Sequence, residues 1–410
     1  MTRRPLHALY VADAISLSGN AVAQLAIPWF VLVTTGSAAL TSLAVFFNFL
    51  PIVLATFFGG VIVDRVGFRT TSIVADLASA GAVAAIPLLH TTVGIEIWQL
   101  MALVFLGALL DAPGSTARAA LLPDAVELAG VKMERATGIR AGIQQGSLLV
   151  GAPVGGVLVA EVGATAALWI DAGSFLVSAA LVALAVPRPT HEAETESEAP
   201  GRFFAELTEG LRFIWDRRLL RAVILTVVVT NFLDAPLVVI LAVFSREAYG
   251  SAADLGLILG VFGGSALAGA LLYSAFGHRL PRRLTFLCCY AVVPSFYFVL
   301  ATLPSLPVAL AAVALSGLFA GPINPLMATV MFEIVPSALR GRVLGAVRAG
   351  AWASISAGVL LGGVVVGTFG VAATFLVIGL CYVAVTLYGF FNPAFRDLDR
   401  TAEPRLGSEE

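Results

Sequence analysis

Runs of roughly 20 mainly apolar residues recur along nearly the whole chain, with little polar sequence between them. A helix must be about that long to cross the roughly 30 Å hydrocarbon core of a bilayer. Composition agrees, because 59 % hydrophobic and 12 % charged residues lie well outside the range of soluble globular chains. The expected fold is therefore an all-α integral membrane protein. Twelve spans are expected, at 6–34, 39–63, 70–90, 96–122, 138–160, 164–186, 219–245, 254–277, 283–303, 307–335, 343–367 and 370–391. The first is kept as a helix and not a cleaved signal, since Asp13, Asn20 and Gln24 interrupt it and no polar domain follows any cleavage point.

Orientation follows from the short loops. With the N-terminus inside, 23 of the 24 Lys and Arg residues fall on the cytoplasmic side or at helix ends facing it and only Arg246 falls outside, so both termini are expected in the cytoplasm. No basic stripe or nucleic-acid motif stands outside this pattern, which argues against nucleic acid as a partner. Cys288, Cys289 and Cys381 lie within spans and have neither metal-ligand nor disulfide spacing. The four histidines are too scattered for a metal site, and no catalytic constellation or folded soluble domain is visible.

The chain also repeats itself. "GGVLVAEVGATAALWI" from Gly155 aligns with "GGVVVGTFGVAATFLV" from Gly362 at six identities in sixteen, each joining the fifth to the sixth span of its half. Two pseudo-symmetric six-helix bundles are expected, 1–187 and 219–392, with a binding cleft between them. Between the bundles lies a cytoplasmic linker, 188–218, and after them a cytoplasmic tail, 393–410. Within the linker, Phe203, Phe204, Leu207, Leu211, Ile214 and Trp215 recur at helical spacing opposite Glu206, Glu209, Arg212 and Asp216, the pattern of a helix lying on the inner membrane surface.

In "GGVIVDRVGFRTT", charges crowd the turn between the second and third spans. The spacing of Gly60, Asp64, Arg65, Gly67 and Arg69 resembles the signature loop of the major facilitator superfamily. That resemblance implies a gate, in which Asp64 meets the start of the eleventh helix near Arg342 and Arg348 and latches the cytoplasmic side shut. The corresponding turn of the second half, "AFGHRLPRR", keeps Gly277 but has no such Asp. In the fifth span, Gly142, Gly146, Gly151, Pro153, Gly155 and Gly156 are similar to the glycine-proline motif of the superfamily's drug/proton antiporters, with Ala152 where the family has Gly before Pro. Stretches such as "DAPGSTARAALLPDAV", "EGLRFIWDRRLLR" and "GPINPLMATVMFEIVPSALRGRVLG" resemble the branch of macrolide-efflux proteins, siderophore exporters and mycobacterial multidrug pumps.

The resemblance implies alternating access and export. No phosphate-binding glycine-lysine loop occurs, so a proton gradient is expected to supply the energy, with no cofactor. Ionisable residues are costly in lipid, which makes the carboxylates within spans informative. Asp234, midway through the seventh span, leads as the proton-coupling group, followed by Asp111 in the fourth and Asp13 in the first. Arg118 falls near the cytoplasmic end of its span, where an interfacial anchor is expected, and Glu333 is expected at the gate with Arg340 and Arg342. Asn20, Gln24, Trp29, Asn48, Asn231, Phe232 and Asn324 are the candidate residues of a pocket expected to be mostly apolar with a few polar points, which suits amphiphilic compounds. The expected protein is a proton-coupled multidrug exporter, a monomer in a bacterial cytoplasmic membrane. A dedicated exporter of one siderophore, lysolipid or other metabolite is the alternative.

Overall fold

The computed structural model describes residues 2–51, 67–187, 200–336 and 339–400, with side chains outside 200–207 and 400. Among these residues there is no strand, and ten helices are long and apolar enough to cross a membrane. The first span is α1 (Arg4–Thr35), stopped by Gly36 in the left-handed conformation at φ 67°. The second begins as α2 (Ala38–Pro51), and its remainder lies outside the described residues. Then follow α3 (Phe68–Thr92), α4 (Ile97–Ala120) with the short α5 (Leu122–Ala129), α6 (Met133–Val162) and α7 (Ala164–Ala185).

The linker helix is α8 (Pro200–Asp216). Proline divides the next spans, because it has no N–H to continue the helical ladder. Pro236 separates α9 (Arg218–Asp234) from α10 (Leu237–Ala248), and Pro294 separates α12 (Arg282–Val292) from α13 (Ser295–Leu300), with α11 (Ala252–Phe276) between these two pairs. Likewise Pro322 divides α14 (Leu306–Ala320) from α15 (Ile323–Ile334). The last long helix, α16 (Arg340–Phe391), holds two spans joined at Gly370, whose φ of 78° and ψ of 172° are outside helical values. Counting α16 as two and α2 as one is consistent with twelve spans. After a 3-10 turn at Pro393–Arg396 comes α17 (Asp397–Arg400).

Packing divides the chain into two units, Met1–Ser197 with Leu241–Gly260, and Glu198–Ile240 with Val261–Glu410. In the first, α1 packs chiefly on α7 and α6, and α3 on α4 and α7. Small residues set how closely these helices approach. A Cβ on Gly156 would lie 2.7 Å from both the Ala252 carbonyl oxygen and Gly256 Cα, so α6 and α11 meet backbone to backbone. In the second unit, α9 and α8 pack on α16. The linker helix is seated there by Gly210, against the Arg342 backbone, and by Ile214, buried among Leu220, Ile224, Val335 and Val343. It docks on protein as well as presenting an apolar side, since Leu211 and Trp215 remain exposed.

Candidate functional site

Inside the first unit one arginine ties several helices together. Arg118, on the last turn of α4, is 1 % exposed. Its Nε donates to Asp13 Oδ1 of α1 at 2.9 Å, its Nη1 to Asp76 Oδ1 of α3 at 2.6 Å, and its Nη2 to Ser16 Oγ at 3.2 Å. Ser178 of α7 donates to the other Asp76 oxygen at 2.7 Å, and Arg140 of α6 to Asp13 Oδ2 at 2.9 Å. Five helices thus meet in one charged network. Arg118 is accordingly no interfacial anchor, because its guanidinium is enclosed within the bundle. The signal was present in the sequence: Asp111, Ser115 and Arg118 are spaced to share one face of a helix, as do Asp13, Ser16, Asn20 and Gln24.

Next to the network lies a cavity of about 240 Å³ lined by Asn20, Gln24, Asn48, Asp111, Asp171 and Phe175, among others. Asn20 Nδ2 donates to Asp111 Oδ2 at 2.9 Å. The second oxygen, Oδ1, has no hydrogen-bond partner among the described residues and stands 4.0 Å from Arg118 Nη2. Asp171 is buried and, among the described residues, accepts only from Ser174 Oγ, at 3.4 Å. Around network and cavity, four carboxyl groups face two guanidiniums. Carboxyl groups thus outnumber guanidiniums by two, an excess of negative charge that burial makes costly.

Asp234, in the second unit, has a different setting. It accepts from Tyr297 Oη at 2.6 Å and from Tyr382 Oη at 2.5 Å, and no cationic side chain pairs with it among the described residues. Both tyrosines are buried, their rings 5.6 Å apart, and Tyr297 lies beside Phe296 and Phe375. Along the chain Asn231 lies one turn before Asp234, whereas the two phenols arrive from α13 and α16, more than 60 residues away.

The remaining expected residues are distributed as follows. Gly60, Asp64 and Arg65 lie outside the described residues. Gly67, at φ 82°, stands at the start of α3, and Arg69 donates to the carbonyl oxygens of Val186 at 2.7 Å and Ala183 at 2.5 Å, closing the end of α7. Arg342 Nη1 pairs with Glu209 Oε2 of the linker helix at 2.6 Å, and Arg348 is exposed. Glu333 pairs with Arg282, at 2.5 and 2.9 Å, and Arg340 instead donates to the Val335 and Phe332 carbonyls, so Glu333 forms no ion pair with Arg340 or Arg342. Of the fifth-span glycines, Gly151 and Gly155 abut Ala21 and Val22 of α1, Gly156 abuts α11, and Pro153 packs on Gly260. Gly142 and Gly146 have open space where a Cβ would be. Asn20, Gln24 and Asn48 come together at the cavity, whereas Trp29 is half-buried and outside the cavity lining. Asn231, Phe232 and Asn324 belong to the second unit, the first two half-buried and Asn324 exposed.

Comparison with known proteins gives a consistent picture. The model of the Major Facilitator Superfamily matches residues 9–250 and 224–409. A protein of Mycobacterium tuberculosis described as multidrug efflux pump Tap is 33 % identical over 404 residues, covering 97 % of this chain and 95 % of the relative. Macrolide efflux protein A of Streptococcus pyogenes is 25 % identical over 277 residues, 67 % of each chain. Among solved structures, the nucleoside transporter NupG superposes with a TM-score of 0.75 at 11 % identity, covering 97 % of this chain and 99 % of that one, a likeness of fold alone.

Proposed function

The chain belongs to the major facilitator superfamily, and from that premise we propose that it is a drug exporter, a drug/proton antiporter working by alternating access. It is a multi-pass membrane transporter and not a catalytic enzyme. The observation that carries the reading is similarity at 33 % identity, over nearly the full length of both chains, to a protein described as a multidrug efflux pump. Its compartment is the bacterial cytoplasmic membrane with both termini inside, its partners are amphiphilic small molecules and protons, and the working form is a monomer of two six-helix halves.

The chemistry is assigned to the carboxylates. Asp13 and Asp76 are each held by arginine, which suits a fixed frame. Asp111 borders the cavity with one oxygen free of hydrogen bonds, the geometry required of a group that exchanges a proton for a substrate contact. Asn20, Gln24 and Asn48 supply polar points around it, and Phe175 an apolar wall. Asp234 serves as a second coupling carboxyl, reached through the phenols of Tyr297 and Tyr382. The fifth-span glycines let α6 lie against α1 and α11.

The test is accumulation of tetracycline-like, macrolide and dye compounds in pump-deficient bacteria expressing the protein, with and without a protonophore. Reduced accumulation of several unrelated compounds, restored by the protonophore, is the expected result. Lowered accumulation that a protonophore leaves untouched would overturn proton coupling, and no effect on any compound would overturn multidrug export.

A further inference from the structure

At one end of the second unit, the first turn of α9, the last turns of α16 and the 3-10 turn Pro393–Arg396 enclose a recess of about 330 Å³. Its polar lining is Arg218, Arg221, Arg396, Tyr388, Asn392 and Asp397. Three guanidiniums therefore share one concavity with a single carboxylate, and Asp397 is itself engaged in another interaction. Arg218 and Arg396 are exposed and have no hydrogen-bond or ion-pair partner among the described residues. Arg221 donates from Nη1 to the Trp215 carbonyl at 3.0 Å and stacks over the Trp215 ring.

The recess is held in shape. Asn392 Oδ1 accepts from Ala394 N at 3.0 Å, fixing the turn from which Arg396 projects. Phe395, fully buried in the same turn, stacks on Phe286 at 5.1 Å and meets Tyr388 edge-on at 6.1 Å. Like charges held close on a rigid frame repel one another unless an anion lies among them, and the fork of donors on arginine matches the oxygens of phosphate.

Depth narrows the choice of anion. Arg218 opens the seventh span and Phe391 closes the twelfth, so the recess opens at a membrane boundary. Exposed Trp215, Tyr388, Phe390 and Phe391 ring that level, the placement of an aromatic belt at the headgroups. Arginines that only direct topology need no concavity and no ordered turn behind them. We propose that this recess binds a phosphate group, carried by an anionic phospholipid or by a soluble phosphate ester, with Arg218, Arg221 and Arg396 as its donors.

The experiment is native mass spectrometry of the purified full-length protein in neutral detergent, titrated in separate arms with phosphatidylglycerol, phosphatidylcholine and inorganic phosphate. Retention of one phosphatidylglycerol in preference to phosphatidylcholine is expected, weakened roughly tenfold or more by Arg218→Gln with Arg396→Gln, as loss of charge-assisted hydrogen bonds predicts. Arg212→Gln, on an exposed part of α8 outside the recess, is expected to leave retention unchanged. If the double variant cannot be purified, Arg396→Gln alone, at an exposed and unpartnered position, carries the same comparison. Inorganic phosphate binding with the same arginine dependence, and phosphatidylglycerol binding no better, would support the site and assign it a soluble source. Equal retention of both lipids, or retention of phosphatidylglycerol indifferent to the substitutions, would in either case overturn it when no arginine-dependent phosphate binding accompanies it.

Discussion

Arg118 Nη1 lies 2.6 Å from Asp76 Oδ1, and neither side chain has any exposed surface. The pair joins α4 to α3, and through Asp13 and Ser178 the same network reaches α1 and α7. Removing one partner of a buried ion pair strands the other, at a cost of about 3–5 kcal/mol. Arg118→Gln is therefore expected to lower the apparent melting temperature of the purified protein far more than Arg140→Gln, whose side chain is partly exposed. Equal melting of the two variants would mean that the network does not hold the bundle.

Asp111 is one of two carboxyls that line the cavity, with Asp171, and its Oδ1 has no hydrogen-bond partner among the described residues. Replacing it with Asn keeps the shape but removes the site of protonation. Asp111→Asn is expected to insert normally and bind substrate, yet fail to build a substrate gradient in inside-out vesicles energised by a pH difference. Wild-type uptake by this variant would remove Asp111 from the coupling step.

Asp234 is placed by two phenols. A hydrogen bond contributes about 0.5–1.5 kcal/mol net, so Tyr297→Phe and Tyr382→Phe are each expected to reduce thermal stability, with the double change worse than either. Asp234→Asn is expected to abolish proton-driven export while the protein still reaches the membrane. Unchanged pH-driven export by Asp234→Asn would reject its role.

The fifth-span glycines are not equivalent. At Gly156 a side chain would collide with the backbone of α11, whereas at Gly142 it would enter open space. Gly156→Leu is expected to eliminate export and lower stability; Gly142→Ala is expected to leave export intact, and Ala is favoured over Gly within a helix by about 1 kcal/mol. Thermal melting and drug-susceptibility assays on the two variants separate these outcomes, and a fully active Gly156→Leu would show that the close crossing is dispensable.

Much of the architecture was legible because lipid imposes it. A bilayer fixes span length, and apolar runs near that length mark helices whatever they later pack against. The break between the last two spans was expected at 368–369, beside Gly370 where the helix departs from helical geometry, whereas the divisions at Pro236, Pro294 and Pro322 were not anticipated. Even the linker helix showed its amphipathic period, although only Gly210 and the buried face of Ile214 reveal that it docks on α16.

Polar partnerships were not legible in the same way. The sequence places Asp13, Asp76 and Arg118 on three separate spans, and nothing in the linear order says that they touch. Depth estimated from span boundaries put Arg118 near an interface, but the crossing of five helices encloses it. Likewise Asp234 stood out by its position midway along a span, while its partners Tyr297 and Tyr382 look like ordinary aromatic residues until α13 and α16 bring them to it. The sequence by itself determined that the chain crosses a membrane repeatedly and which family's motifs it carries, since hydrophobic length and local spacing are one-dimensional properties. Only the tertiary structure decided which buried charges neutralise one another and which face a cavity, because a charge in a low-dielectric interior is governed by its neighbours in space.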